Sequence, residues 1–321
     1  MSNNDFRQLV HTPAELGAYY VNWVERIQKY PGIPLGIPCL DAKVIPLRPG
    51  DLMGIIARPG HGKSSLMAYL AMQEARRIQE RGAVGKEAVV YVTWESSAEE
   101  LENFWMAQGA YSATDVAWGR VPLDTVKRHA VKRASLPIWT IGHAIAKAGQ
   151  PMPAMTLEAV LAAIQTMEAD FGVKPTLLLF DYIQLIPIPK IADRQKRVTE
   201  VPPLVKALAQ RVGAPAVCGV QASREVDDLK HKIPEMGHAQ WASSIEQAAD
   251  KLFSLWRPYR TEGPGGEPIA VNGRSYLITP ELTIIRMLKQ RGDDGRHTWA
   301  TFFQPQYLKL AEIEAHREAS R

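Results

Sequence analysis

Apolar residues recur at two different spacings along the chain, and the alternation of these spacings predicts an α/β fold. Short apolar runs without polar alternation predict buried strands at residues 52–57, 88–93, 137–141, 176–180 and 215–220. Between these runs, helical spacing predicts helices at residues 63–80, 97–109, 156–171 and 202–212. Strands that alternate with helices in this way are typical of a largely parallel sheet flanked by helices.

The N-terminal part of the chain departs from this pattern. Residues 14–29 predict a short helix whose apolar face consists of Leu16, Tyr19, Tyr20, Trp23, Val24 and Ile27. A stretch rich in Pro and Gly, residues 32–41, follows it. We therefore expect residues 1–31 to form a linker helix and residues 32–310 to form the main domain.

The C-terminal part changes from a parallel to an antiparallel pattern. Apolar runs at residues 251–256, 282–288 and 297–303, the last two separated by a turn at 290–295, predict a hairpin that closes the sheet. Residues 258–275 are expected to be a loop, and residues 311–321 a charged tail. Because prolines suit a first helical turn, Pro202 and Pro203 predict that a helix begins there after a long loop.

Composition excludes several classes of protein. The 321 residues include 46% hydrophobic and 22% charged residues, which is typical of a globular chain. Cys39 and Cys218 are far apart and lack metal-ligand spacing, so neither a disulfide scaffold nor a zinc site is expected. No apolar stretch is long enough to span a membrane, and we expect a soluble, cytoplasmic protein without a membrane partner. The net charge of +4 is too small to identify a partner.

Residues 57–64, with the sequence ARPGHGKS, resemble a phosphate-binding loop of the GxxxxGK[ST] type in which Ala57 occupies the first glycine position. The loop connects a predicted strand to a predicted helix, so backbone N–H groups and the positive end of the helix dipole would meet a phosphate. The candidate nucleotide-binding residues are Arg58, Pro59, Gly60, His61, Gly62, Lys63, Ser64 and Ser65. Lys63 would contact the β- and γ-phosphates of ATP, and Ser64 would coordinate Mg²⁺.

Two acidic residues follow predicted strands. Asp181 ends the run at 176–180 and is a candidate for the carboxylate on the metal side of the nucleotide. Glu95 follows the run at 88–93 and is a candidate general base for the attacking water. From the spacing alone, Glu95 fits equally well as a carboxylate at the start of a helix, where Ser97 and Glu100 predict a capping box.

The order of these motifs resembles the C-terminal motor domain of the DnaB-like replicative helicases, which belong to the RecA-like P-loop ATPases. The resemblance covers about residues 15–310 and includes PGDLMGIIARPGHGKSSL, VVYVTWESSAEEL, LLLFDYIQLI and IIRMLKQRGDDG. It implies ATP and Mg²⁺ as cofactors, Glu95 as the general base and Asp181 as the metal-side carboxylate. Gln221 matches the family's sensor of the γ-phosphate, although a polar residue at a strand end also fits that position.

The resemblance also implies a ring, which we expect to be a hexamer. Lys289 and Arg291 match the cations that these ATPases insert into the neighbouring subunit's site, whereas without the resemblance a solvated hairpin is the simpler interpretation. Residues two apart on a strand point to the same face, so both cations would reach one phosphate. The helix at 14–29 matches the linker helix that docks on an adjacent subunit, and we hypothesise that it holds neighbours together.

Contacts with single-stranded DNA are where the sequence departs from the family. The basic, glycine-containing stretch of the family corresponds here to residues 238–244, which contain few charges. The candidate DNA-binding residues are Arg194, Lys196, Arg197, Arg224, Gln240, Trp241 and Ser243. Trp241 would stack on a base, and the cations would contact the phosphate backbone.

The expected function is that of an ATP-dependent DNA helicase that moves 5′ to 3′ on single-stranded DNA and unwinds duplex during replication of a chromosome, plasmid, phage or mobile element. A loader or another replication or mobile-element protein is a further candidate partner. The alternative is an ATPase switch or assembly protein that recruits partners without unwinding. A RecA-like recombinase, which forms a helical filament, is a third interpretation.

Overall fold

A computed structural model describes residues 9–106, 111–189, 194–229, 231–239, 242–293 and 295–313. The chain divides into two compact units, Met1–Ile33 and Pro34–Arg321. In the first unit, helix α1 (Pro13–Lys29) begins with a capping box between Thr12 and Glu15. None of its residues is buried, and Tyr19, Tyr20 and Trp23 are each more than half exposed.

The second unit contains one large sheet and a small hairpin. The strands are β1 (Leu52–Ala57), β2 (Glu87–Thr93), β3 (Ile138–Ile141), β4 (Lys174–Asp181), β5 (Ala216–Gln221), β6 (Lys251–Trp256), β7 (Ile269–Val271), β8 (Arg274–Tyr276), β9 (Leu282–Gln290), β10 (Thr298–Gln304) and β11 (Lys309–Glu312). The large sheet has the order β11-β10-β9-β6-β1-β5-β4-β2-β3. Strands β1 to β6 pair in parallel, whereas β9, β10 and β11 pair antiparallel. The predicted fold class is therefore confirmed, including the C-terminal antiparallel hairpin.

Helices connect the parallel strands. They are α2 (Pro38–Asp41), α3 (Lys63–Glu80), α4 (Ala98–Met106), α5 (Ala113–Ala117), α6 (Leu123–Arg133), α7 (Leu157–Phe171), α8 (Arg194–Val212), α9 (Ala242–Ala248) and α10 (Tyr259–Glu262). The predicted capping box of α4 is present, because the Glu100 N–H donates to Ser97 Oγ at 3.1 Å and the Ser97 N–H donates to Glu100 Oε2 at 2.7 Å. In the ranges given above, no helix is both long and apolar enough to cross a membrane.

The core lies on the faces of the central strands. Leu52, Ile56 and Phe180 belong to one buried cluster with residues of α7 and α8, including Ile164 and Val205. Every residue of β1 is buried, as the lack of polar alternation predicted. The carboxyl ends of β1, β2, β4 and β5 therefore lie side by side at one edge of a rigid sheet.

Helix α8 corrects one prediction. It begins at Arg194, so Pro202 and Pro203 lie in its interior rather than at its first turn, and residues 194–201 are helical where a loop was expected. An internal proline has no N–H to donate to the carbonyl four residues earlier. The Ser244 hydroxyl from α9 donates to the carbonyl of Thr199, to which Pro203 has no N–H to donate. A neighbouring helix thus supplies a donor that the proline lacks.

Two further segments are more ordered than predicted. Residues 258–275, expected to be a loop, contain α10 and most of the β7–β8 hairpin. Ile269 and Val271 of this hairpin form a small separate cluster with Trp256 and Ile284. Strand β11 continues the sheet as far as Glu312, so residues 311 and 312 are part of the sheet and not of the predicted tail.

Candidate functional site

The loop that resembles a phosphate-binding loop connects β1 to α3, as predicted. Gly60 and Gly62 have φ angles of +78° and +90°, a region that side-chain-bearing residues rarely adopt. Gly62 is the N-cap of α3, and a Cβ atom there would also lie 3.2 Å from the ring of Phe303. Both glycines are therefore needed for the tight turn that brings the backbone to the start of the helix.

A cavity of about 370 Å³ opens above this loop. It is lined by Ala57, Arg58, Pro59, Gly60, Gly62, Lys63, Ser64, Ser65, Glu95, Tyr182, Gln221, Arg257, Arg260 and Pro305. The structure thus brings together most of the residues that were predicted to bind nucleotide, together with the candidate base Glu95 and the candidate sensor Gln221. Glu95 follows β2 and Gln221 ends β5, so both reach the cavity because parallel strands end at the same edge.

Lys63 occupies a confined position. Its side chain crosses Gly219 of β5, where a Cβ atom would lie 2.9 Å from the lysine Cδ and Cε. The ammonium lies 4.1 Å from the centre of the Tyr182 ring and 3.9 Å from Asp181 Oδ1. Burial lowers the pKa of Lys63, while the carboxylates of Asp181 and Glu95 act in the opposite direction. A partly desolvated cation of this kind interacts strongly with an anionic ligand.

Asp181 ends β4 directly behind Lys63 and is 4% exposed. The hydroxyl of Tyr91 donates to its Oδ2 at 2.9 Å. Its Oδ1 is buried and has no hydrogen-bond partner within the described part of the chain. A buried carboxylate oxygen that accepts no hydrogen bond is costly, so it indicates a place for a further ligand beside Lys63.

The side chain of His61 does not line the cavity, and the role of this residue in binding nucleotide stays a prediction. The side chain is buried, and its Nδ1 accepts a hydrogen bond of 3.0 Å from the Arg257 N–H. Burial, together with the positive charges of Arg257, Arg260 and Arg58, lowers the pKa of His61 to about 4. His61 is therefore neutral at pH 7, and this hydrogen bond joins the loop to the residue that follows β6.

Tyr182, Arg257, Arg260 and Pro305 line the cavity but were not predicted from the sequence. Arg257 follows β6, which pairs with β1, and it donates to the Pro280 carbonyl at 2.7 Å. Arg260 lies one helical turn further on, in α10. Arg257 and Arg260 lie beside the loop only because of the strand order, which a local sequence pattern does not reveal. For Tyr182 the sequence did contain a local signal, because this residue directly follows Asp181.

Arg58 connects the loop to the segment after β5. Its Nε and Nη2 donate to the two carboxylate oxygens of Asp227 at 3.1 and 2.7 Å, and its Nη1 donates to the Ala222 carbonyl at 3.3 Å. Asp227 belongs to a short 3-10 helix, Arg224–Asp228, that follows Gln221. A bidentate pair of this kind has a defined geometry, so the loop and this segment are held together.

Lys289 and Arg291 lie at the other end of the sheet. Lys289 is opposite Leu252 near the start of β6, whereas the cavity is at the carboxyl ends of β1 and β6. The Lys289 ammonium donates to the Glu246 carbonyl, and Arg291 Nε lies 3.5 Å from Asp250 Oδ1. Burial opposes ionisation of Asp250, but hydrogen bonds from Lys206 and the Leu52 N–H outweigh it and lower the pKa of Asp250. Neither cation reaches the cavity of its own chain.

The candidate DNA-binding residues are only partly described. Arg224 and Ser243 are exposed, on the 3-10 helix and on α9 respectively. Gln240 and Trp241 lie outside the described residues, and so do the side chains of Arg194, Lys196 and Arg197 at the start of α8. Their role in binding DNA stays a prediction. Among the described residues, no group of three or more His, Cys, Asp and Glu is arranged to hold a metal ion by itself.

Comparisons with known proteins identify relatives of this chain. The family described as "DnaB-like helicase C terminal domain" matches residues 32–312. Replicative DNA helicase DnaB of Rickettsia bellii is 24% identical over 297 residues, which are 88% of this chain and 58% of that protein. A probable plasmid replicative DNA helicase of Chlamydia muridarum is 26% identical over 229 residues, or 71% of this chain and 48% of that protein. The chain thus spans about half the length of these relatives.

Solved structures agree on the fold. One of them, described as an ATPase domain, has a TM-score of 0.75 and 16% identity, and the match covers 94% of this chain and all of that one. A DnaB-like replicative helicase, solved in a study of its interactions with primase, has a TM-score of 0.71 and 17% identity, with 92% of this chain and 66% of that chain covered. The sequence match over residues 32–312, in a chain with this fold and this phosphate-loop geometry, shows that the chain belongs to the family of DnaB-like helicase C-terminal domains.

Proposed function

We propose that this chain is the ATP-hydrolysing motor of a ring-forming DNA helicase that moves 5′ to 3′ on single-stranded DNA and unwinds duplex during replication. One observation carries the proposal: Lys63, Glu95 and Gln221 line a single cavity at the end of the sheet, with Asp181 directly behind Lys63. The family match and the helicase names of the relatives support DNA as the substrate.

ATP would bind with its phosphates against the loop at residues 57–64. The backbone N–H groups at the start of α3 and the Lys63 ammonium would bind the β- and γ-phosphates. Arg58, Arg257 and Arg260 add positive charge to the same cavity. Catalysis of this kind depends on positioning and charge stabilisation, which fixed cations at a rigid sheet edge provide.

Ser64 and Asp181 would hold Mg²⁺, and the site fits such an ion. Ser64 lines the cavity, and Asp181 Oδ1 is a buried oxygen that accepts no hydrogen bond within the described residues and has Lys63 as its ion-pair partner. Mg²⁺ would neutralise charge on the β- and γ-phosphates. Glu95, exposed at the cavity, would accept the proton of the attacking water, and Gln221 would detect loss of the γ-phosphate.

Assembly would complete the site. Lys289 and Arg291 lie too far from their own cavity to serve it, which supports the proposal that they act in a neighbouring subunit of a hexameric ring. Such cations contribute about 10³ to 10⁵ in rate in related phosphoryl-transfer reactions. The exposed aromatic residues of α1 support its proposed role in holding neighbours together.

The deciding experiment is steady-state ATP hydrolysis with and without single-stranded DNA, with Lys63→Ala as the blank. Strong stimulation by DNA, absent in the variant, would support a DNA motor. Hydrolysis that does not respond to DNA would contradict it and favour the alternative of a nucleotide-controlled assembly protein. If an Arg224→Ala variant still hydrolyses ATP but is no longer stimulated by DNA, this exposed cation would be assigned to DNA binding.

A further inference from the structure

Tyr91 is a buried tyrosine that lies beside the candidate metal-side carboxylate. It is in the middle of β2, opposite Leu179 of β4, and its hydroxyl reaches diagonally to Asp181 two residues further along β4. The side chain is 0% exposed, and its ring packs edge-on against Trp105 with ring centres 6.0 Å apart. The ring is therefore fixed, and its hydroxyl has one defined partner.

The two oxygens of Asp181 have different surroundings as a result. Oδ2 accepts the Tyr91 hydrogen bond at 2.9 Å. Oδ1 has no hydrogen-bond partner in the described ranges and lies 3.9 Å from the Lys63 ammonium. A carboxylate held through one oxygen in this way cannot rotate freely, so the other oxygen keeps facing the phosphate loop.

The tyrosine is suited to donate and not to ionise. Burial, together with the negative charge of Asp181, raises the pKa of Tyr91 well above its usual value. The hydroxyl therefore keeps its proton at any pH at which the protein works. A donor that is fixed in this way holds the carboxylate that accepts its hydrogen bond in one orientation.

We propose that Tyr91 is a positioning residue that orients the Asp181 carboxylate for Mg²⁺ bound with nucleotide. This inference rests on the proposed function, because it assumes that the cavity binds ATP with Mg²⁺. Tyr91 touches neither nucleotide nor metal and acts through Asp181. Partners of metal-binding carboxylates commonly change metal affinity about 10- to 100-fold when they are removed.

Tyr91→Phe tests this idea, since it removes the hydroxyl and keeps the ring that packs against Trp105. Tyr69→Phe is the matched control. Tyr69 is also buried, and its hydroxyl donates to the Gly36 carbonyl at 2.7 Å, but it does not contact the cavity. Both variants lose one buried hydroxyl group and one hydrogen bond.

The measurement is the affinity for a fluorescent ADP analogue with Mg²⁺ and with a chelator in its place. The ratio of the two dissociation constants reports how much Mg²⁺ strengthens binding. We expect Tyr91→Phe to reduce this ratio about tenfold, with affinity in the chelator unchanged.

An unchanged ratio in Tyr91→Phe would overturn the proposal. An equal reduction in Tyr69→Phe, or a loss of affinity that is the same in chelator and in Mg²⁺, would also overturn it by showing a general structural effect. The proposed function is tested by the wild-type chain in the same assay. If the wild type binds no nucleotide, both the proposed function and the role of Tyr91 are contradicted. If the wild type binds nucleotide in a Mg²⁺-dependent way and Tyr91→Phe behaves like the wild type, only the role of Tyr91 is contradicted.

Discussion

Gly219 of β5 shapes the nucleotide site without contacting nucleotide. It has no side chain at the point where the Lys63 stem crosses the strand, and a Cβ atom would lie 2.9 Å from two carbons of that stem. The atoms in the way belong to a flexible side chain. An added methyl group would therefore displace the Lys63 side chain more than it would destabilise the sheet.

We expect Gly219→Ala to weaken nucleotide binding roughly 10- to 100-fold, because a small misplacement of a binding group is enough for such a loss. The free energy of unfolding should change by about 1 kcal/mol, as for an added methyl group with a yielding neighbour. Nucleotide titration and urea denaturation measure the two effects. Gly17→Ala is the control, since nothing lies within 4 Å of its added Cβ atom. Equal nucleotide affinity in both variants would contradict the expectation.

The contribution of His61 to the free energy of unfolding depends on pH. The folded chain holds its pKa at about 4, below the ordinary value of 6.5. Between these two pH values the unfolded chain binds more protons at this position. The contribution of neutral His61 is therefore fully present above pH 6.5 and is lost as the pH falls toward 4, and the total loss is about 3 kcal/mol.

The difference in stability between wild type and His61→Asn isolates this contribution from other titrating groups. Asn offers an acceptor for the Arg257 N–H but does not titrate. We expect the wild type to lose more stability than the variant between pH 7 and pH 5 in urea denaturation. Parallel curves for the two proteins would show that His61 is not the group responsible.

Local motifs explain which site residues the sequence could predict. Gly60, Gly62 and Lys63 stand together in the chain, and their turn depends on neighbours in the sequence. Arg257 and Arg260 reach the same cavity only because β6 pairs with β1, and that pairing joins segments far apart in the chain. The buried orientation of His61 likewise depends on the Arg257 backbone, so no local pattern could indicate it.

At the scale of elements, α8 and α9 depend on each other. The Ser244 hydroxyl of α9 donates to the Thr199 carbonyl that Pro203 cannot serve. The start of α8 was mispredicted because proline rules describe an isolated helix, in which such a carbonyl has only water as an alternative partner. The strand limits were predicted well, since they depend on the length of apolar runs in the sequence itself.

We expect Ser244→Ala to lower the free energy of unfolding by about 0.5 to 1.5 kcal/mol, the net contribution of one intramolecular hydrogen bond. In a Pro203→Ala background the same change should cost less, because the new N–H at position 203 can bond the Thr199 carbonyl. A double-mutant cycle by urea denaturation measures this coupling, which we expect to be about 1 kcal/mol. Strictly additive effects would mean that Ser244 does not compensate for the proline.

At the scale of the whole molecule, the position of Lys289 and Arg291 can be tested by mixing subunits. Lys63→Ala and Arg291→Ala chains should each be inactive as ATPases. When they are mixed and allowed to exchange, about a quarter of the sites in a ring would combine an intact Lys63 with a neighbour's intact Arg291. We expect ATP hydrolysis to reappear in the mixture. Arg296→Ala, which changes an exposed cation after the same strand, should be active without mixing.

No recovery on mixing would contradict a role for Arg291 in the neighbouring site. Recovery would also require a mixed assembly, which light scattering can follow in the same samples. The result separates a cation that serves another chain from one that only pairs with Asp250 in its own chain, because the second role cannot be restored by a partner.

The placement of the cavity and the Lys289–Arg291 pair at opposite ends of the same sheet has a further consequence for symmetry. Where contacts that join one chain's cations to the next chain's cavity repeat head to tail, each contact links two unlike surfaces and the assembly has a direction. An open row would always leave one cavity without cations and one cation pair without a cavity, whereas a closed ring would leave none. The fraction of working sites would therefore report whether the assembly is closed.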